Sequence, residues 1–492
     1  MISFCIAIVV LILGYVFYGA LVERAFGIDE NRQTPALTHT DGVDYVPMSG
    51  WKIFLVQFLN IAGLGPIFGA IMGIMYGPSA FLWIVFGTIF AGGVHDFLSG
   101  MMSVRHDGES LPNLVGHQLG AGMKIFMNIL SIVLLVLLTT NFMTGPASLL
   151  HGLVDEVSVQ TWLFIIFGYY ILATLLPVDK LIGNIYPIFG FCLLFMAVGI
   201  MVMMFVNNAP IPEVFNGLGN TQPKPDEYPI FPMMFVSIAC GAISGFHATQ
   251  SPIMARCLTN EKQGRRIFYG AMVAEGIVAL IWAAAAGSYW GSIDGLNTFV
   301  ADAKAQGLNP QSLIVNDISV GWLGKLGGIL ALIGVVAAPI TSGDTALRSA
   351  RLIVAEFTKL EQKTIWKRLI ISIPLFACVY LFSLIDFEIV WRYFSWTNQT
   401  LAMFTLWTAA VFLFKNGRDS ESALRRYAFL MPLLPAIFMT MVCVSYILIA
   451  PEGLHLAPAN HWIGYTIAGV VTTCATIGFG TWTIKHKNDF KI

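Results

Sequence analysis

Long apolar runs alternate with short polar connections along almost the whole chain. Those able to cross about 30 Å of hydrocarbon fall at 2–21, 52–75, 79–104, 123–148, 160–176, 183–206, 230–255, 265–287, 325–350, 366–385, 390–414, 427–449 and 462–484, which predicts thirteen transmembrane helices. Two of the runs are flawed as helices. The stretch "NIAGLGPIFGAIMG" (60–73) holds four glycines and a proline, and "IACGAISGFHATQSPIMARC" (238–257) contains Gly241, Gly245 and Pro252. Glycine costs about 1 kcal/mol in a helix interior and proline about 3 kcal/mol. Irregular backbone at membrane depth survives only where protein or a cavity surrounds it. Both helices are therefore expected to be discontinuous, near 63–66 and 241–247. Small residues also pack membrane helices closely, which is the plainer reading of the same glycines.

The connections after odd-numbered runs hold 23 of the 27 Lys and Arg residues; only Lys224, Lys304, Lys325 and Arg392 lie on the other side. The positive-inside rule then places the N-terminus outside and the C-terminus in the cytoplasm. The first run has no basic leader region or small-residue cleavage site, so it reads as a retained helix. Five runs beginning at the first flawed one (52–206) precede five beginning at the second (230–414), with opposite orientation. Paired, interrupted spans in inverted halves predict a transporter site near the midplane. The expected organisation is a leading helix and loop at 1–51, the two repeats separated by an outer connection at 207–229, and two further helices within 415–492. A second long outer connection, 288–324, has the patterning of short helices lying over the outer mouth.

Composition agrees with this class. The chain is 57% hydrophobic and 11% charged, against about 25% charged in soluble domains, as expected of a multi-pass inner-membrane protein. Seven cysteines are scattered without ligand spacing, so neither a zinc site nor a disulfide framework is indicated. No GxSxG, HExxH or P-loop pattern occurs, which argues against an enzyme or a bound cofactor. Thinly spread basic residues give no support to nucleic-acid binding. The partners expected are the bilayer and a small solute. A channel is the rival class, because broken helices also line filters.

Ionisable groups inside apolar runs are functional candidates by default. His95 and Asp96, in "GGVHDFLSG", read either as a proton relay or as an interfacial pair capping neighbouring helices. Their side chains leave the helix about 100° apart, so they need not touch. His247 is the foremost candidate for substrate contact, at the start of a half-helix whose N-terminal dipole favours anions; packing against a neighbouring helix is the alternative. Ser244, Thr249 and Gln250 add donors beside it. Glu275 reads equally as a proton carrier or as a structural acid. Thr341 and Ser342 in "APITSGDTALRSAR" are neutral hydroxyls suited to a hard cation, whereas the ionisable set favours H⁺. Ser395, Asn398 and Gln399 read as an interhelical hydrogen-bond set.

"AGGVHDF", "CGAISGFHA" and "ITSGDTALRSARLIVAE" resemble the carbon starvation protein (CstA) family. The resemblance implies an all-α, LeuT-like fold with a 5+5 inverted repeat. It also implies a secondary transporter importing a short peptide or a pyruvate-like 2-oxo acid, with H⁺ or Na⁺ as coupling ion. Substrate is then expected between the breaks, at Gly63, Gly65, Ser244, His247 and Gln250. Protons are expected at His95, Asp96 and Glu275. By resemblance, carbonyls around Ala62 and Gly65 would complete a cation site with Thr341 and Ser342.

Overall fold

The computed structural model describes residues 1–42, 44–175, 186–362 and 364–486, and every regular element among them is helical. The 176–185 segment between two predicted spans lies outside the described residues, as do Lys180, Lys363, Lys487 and Lys491, four of the basic residues behind the predicted orientation. Among the described residues nine continuous helices are long and apolar enough to cross a membrane, ten with the bent pair Gly50–Ile61 and Gly65–Ile74. Three of the thirteen predicted runs do not meet that standard, each for a different reason. Val159–Ala173 is apolar but short. The 230–255 run is divided into short pieces. Phe387–Gly417 is 31 residues long but too polar, since it carries Arg392 and the sequence "TNQT".

The helices sort into a buried centre and a lipid-facing rim. In Ser79–Arg105 and Glu261–Tyr289, 83% of the apolar window is buried, against 22% in Ile2–Phe26 and 6% in Pro458–Lys485. Rim helices expose large apolar side chains such as Phe17 and Trp462, which is stable only against lipid. Polar side chains in central helices must instead find partners within the protein.

Both predicted breaks are present. Gly50–Ile61 ends where Ala62 leaves the helical region (φ −82°, ψ 46°). A helix resumes at Gly65 with Pro66 in its first turn, where the missing N–H removes no intrahelical bond. The two halves bend by 52°. In the second broken helix, Phe235–Ser237 stops at Ile238 (φ −85°, ψ 55°). Extended Ser244 (φ −144°, ψ 125°) precedes the new helix Gly245–Ala255. The second break is thus 238–244, earlier than expected, and His247 belongs to the first turn of the new helix.

Gly92 and Gly245 permit the surrounding close packing. A Cβ on Gly92 would lie 2.3 Å from the Ala242 carbonyl oxygen, and one on Gly245 would lie 2.3 Å from that of Asn398. Near 288–324 a helix does form, Ile293–Ala305. The following helix, Pro310–Thr358, is interrupted at Gly324 (φ 70°). The run pattern does not predict the other short helices between spans; among the described residues, the longest of these follows the third run. Leu111–Leu119 is too short for a recognisable period, although "SLP" at 110–112 is a helix-start signal.

Candidate functional site

Four of the predicted residues form one buried chain. His95 Nδ1 lies 2.7 Å from Asp96 Oδ1, and His247 Nδ1 lies 2.8 Å from Asp96 Oδ2. On its other side His247 Nε2 approaches Glu275 Oε2 to 3.3 Å, without hydrogen-bond alignment. All four side chains are fully buried. His95 and Asp96 therefore do touch. The carboxylate spans the helical offset that separates the two Cβ atoms.

Three elements bring the chain together. His95 and Asp96 lie on Gly93–Arg105, His247 on the second half of the second broken helix, and Glu275 on Gly270–Tyr289. An ionised carboxylate only accepts hydrogen bonds, so both Nδ1 atoms facing Asp96 are donors. A proton on either Nε2 or Oε2 would make their contact attractive. Without it, two lone pairs would face each other in the interior. The chain places four titratable groups from three helices in one buried line.

The other candidates fall around this chain. Gly65 packs on the second break, where its added Cβ would lie 2.3 Å from Cys240 Sγ. Gly63 lies beside Phe142 and the Ser342 hydroxyl. Gln250 donates to Ser349 Oγ at 3.2 Å, while Thr249 Oγ1 donates to the Phe246 carbonyl at 2.7 Å. At the first break the Gly63 N–H turns to the Ile61 carbonyl (2.9 Å). The Leu59 carbonyl therefore loses its usual i+4 donor, and Ser342 Oγ reaches it at 3.2 Å. Thr341 Oγ1 donates to the Ala338 carbonyl of its own helix at 2.8 Å. The Ser342 hydroxyl contact with the first broken helix is thus made at Leu59, three residues before Ala62 and six before Gly65.

Two adjacent amides hold the second break. Asn398 Oδ1 accepts from the Phe246 N–H at 2.7 Å and from Ser244 Oγ at 3.2 Å. Gln399 Nε2 donates to the Ala239 and Ile243 carbonyls at 2.8 and 3.1 Å. The exposed backbone of the break and the start of the new helix are thus satisfied from Phe387–Gly417. This specific role was not legible in the sequence, where two amides in an apolar run indicated only interhelical bonding.

A cavity of about 410 Å³ opens at the end of the molecule that carries the 207–229 and 288–324 connections. It lies between Met72 and Met75 of the first broken helix and Met233 and Ser237 of the second, with Trp391, Arg392 and Glu452 on its wall. At the opposite end a polar cluster joins three helices. There Glu356 accepts from Ser110, from Asn113 Nδ2 at 3.0 Å, and pairs with Arg256 at 3.5 Å.

Known proteins agree with this architecture. The chain is 47% identical to an uncharacterized membrane protein of Haemophilus influenzae, over 57% of this chain and 89% of that protein. It is 30% identical to the peptide transporter CstA of Campylobacter jejuni, over 56% of this chain and 48% of that one. It is 28% identical to the pyruvate/proton symporter BtsT of Escherichia coli, over 55% and 47%. The chain thus spans about half the length of these two transporters.

Among solved structures, a manganese transporter mutant from Eremococcus coleocola matches with a TM-score of 0.55 at 15% identity, over 92% of this chain and 99% of that one. MhsT in complex with L-phenylalanine matches with a TM-score of 0.54 at 14% identity, over 81% and 99%. The fold is therefore LeuT-like, and those relatives and neighbours whose names state a function are transporters rather than enzymes. The carbon starvation protein CstA description matches residues 1–146 and 146–309, which include the whole buried His–Asp–His–Glu chain and both breaks, and the protein belongs to that family.

Proposed function

We propose that the protein is a secondary active importer of a small carboxylate-bearing nutrient, a short peptide or a 2-oxo acid, coupled to protons by alternating access. The observation that carries this is the His95–Asp96–His247–Glu275 chain, which links a broken helix to two central helices. With Asp96 ionised and one proton between His247 and Glu275, the chain carries net negative charge. A second proton neutralises it. A buried net charge resists relocation in a low-dielectric interior, so the doubly loaded form is the one that reorients. Substrate carboxylate bound between the breaks, near Gly63, Gly65 and Ser244, would meet the N-terminus of Gly245–Ala255 and the His247 ring. The named relatives support the substrate classes, and the distribution of basic residues supports an outside N-terminus and a cytoplasmic C-terminus.

A sodium-coupled reading has its own observation, the Ser342 hydroxyl on the freed Leu59 carbonyl. Uptake into proteoliposomes under separately imposed pH and sodium gradients tests both. Proton coupling predicts accumulation of L-alanyl-L-alanine or pyruvate in sodium-free buffer with the lumen alkaline, unaffected by Thr341→Ala or Ser342→Ala. Accumulation that needs sodium, with its half-saturating concentration raised by those variants, would replace protons with sodium.

A further inference from the structure

The outer cavity contains a charged pair that neither the buried proton chain nor the breaks use. Arg392, at the start of Phe387–Gly417, holds its Nε 3.6 Å from Glu452 Oε2. Neither of those two atoms has a hydrogen-bond partner among the described residues. The Glu452 side chain is only 4% exposed, and its other oxygen accepts from the Tyr446 hydroxyl. In the same cavity Lys304 and Glu388, the latter one turn before Arg392 on the same helix, form a tighter pair at 2.8 Å. The remaining wall includes Met72, Met75, Met233 and Trp391, flexible or broad apolar surfaces that adapt to different side chains.

We infer that this cavity is an outer capture site for zwitterionic solutes, in which Arg392 receives a carboxylate and Glu452 receives an ammonium group. The charges themselves require both. A mono-anion placed on Arg392, whose side chain is 37% exposed, competes with Glu452 and leaves that 4%-exposed carboxylate without its cation, and an uncompensated charge of such low exposure is unfavourable. A zwitterion inserts into the loose pair and supplies a partner to each member. The cavity volume is within the range of small-molecule sites. The inference rests on the transport reading only in treating the cavity as the solute's entry, so binding and transport can be tested apart.

Isothermal titration of the purified full chain at neutral pH compares four ligands: L-alanyl-L-alanine, its N-acetyl derivative, its C-terminal amide, and pyruvate. L-alanyl-L-alanine should bind at least about tenfold more tightly than each of the others. Arg392→Gln and Glu452→Gln should each weaken it by a similar factor and Arg392→Lys by less, in protein that still elutes as a folded, monodisperse species by size exclusion. Pyruvate or the acetylated dipeptide binding as tightly as L-alanyl-L-alanine would overturn the assignment, as would an Arg392→Gln variant of normal affinity. The predicted binding pattern without any uptake would support the site and remove the transport reading.

Discussion

Asp96 is the residue on which the buried chain turns, since each of its oxygens meets a different imidazole. Asp96→Asn preserves size, but an amide accepts through one oxygen only, so one Nδ1–H loses its acceptor. Initial uptake should fall at least about 100-fold, in the range typical of lost proton-transfer groups, with assembly by size-exclusion unchanged; a loss below threefold would exclude Asp96 from coupling. Glu275→Gln imitates a permanently protonated acid. Substrate counterflow should persist under this substitution while pH-driven accumulation disappears, both read in the same proteoliposomes. These candidates were legible because an ionisable group in an apolar run has a cost that demands a reason. Their mutual contact was not, because helical periodicity gives directions from one axis and says nothing of where three axes cross.

The broken helices show the same division. Glycine and proline placement indicated both breaks, but the register of the second is set by Asn398 capping Phe246. Asn398→Leu leaves that N–H unpaired in the interior, a cost of about 1–3 kcal/mol. The unfolding temperature in detergent should fall by several degrees, and an unchanged value would mean that the break holds itself open. Gly92→Ala tests the packing side of the same element, since its Cβ would meet backbone rather than a movable side chain. Overpacking of this kind costs about 1–3 kcal/mol. Uptake should decline along with stability, because the displaced segment is the break itself.

Across the whole molecule, the proposed alternating access would make the cavity at one end its open side and the Glu356 cluster at the other its gate. Glu356→Gln removes the charge that pairs with Arg256 and weakens the closure. In a variant whose only cysteine is the buried Cys257, next to Arg256, maleimide labelling from the Arg256 side should then rise several-fold. Substrate that stabilises the opposite state should reduce it. Equal labelling with and without Glu356→Gln would show that the cluster is no gate.

The sequence alone determined the class and the places of greatest cost: apolar run lengths, the one-sided basic residues, two breaks, and ionisable residues such as His95, Asp96, His247 and Glu275 where lipid forbids them. Each is a local property, because a span, a helix breaker or a buried charge carries its cost wherever its neighbours lie. Only the tertiary structure decided that His95, Asp96, His247 and Glu275 form one chain and that Leu59 meets Ser342. It also decided that an amide pair from a distant helix holds the second break, and that Arg392 faces Glu452 across 60 residues of chain. Those contacts depend on how separate helices cross and rotate about one another. That geometry is set by the packing of the whole bundle, to which no single stretch of sequence has access.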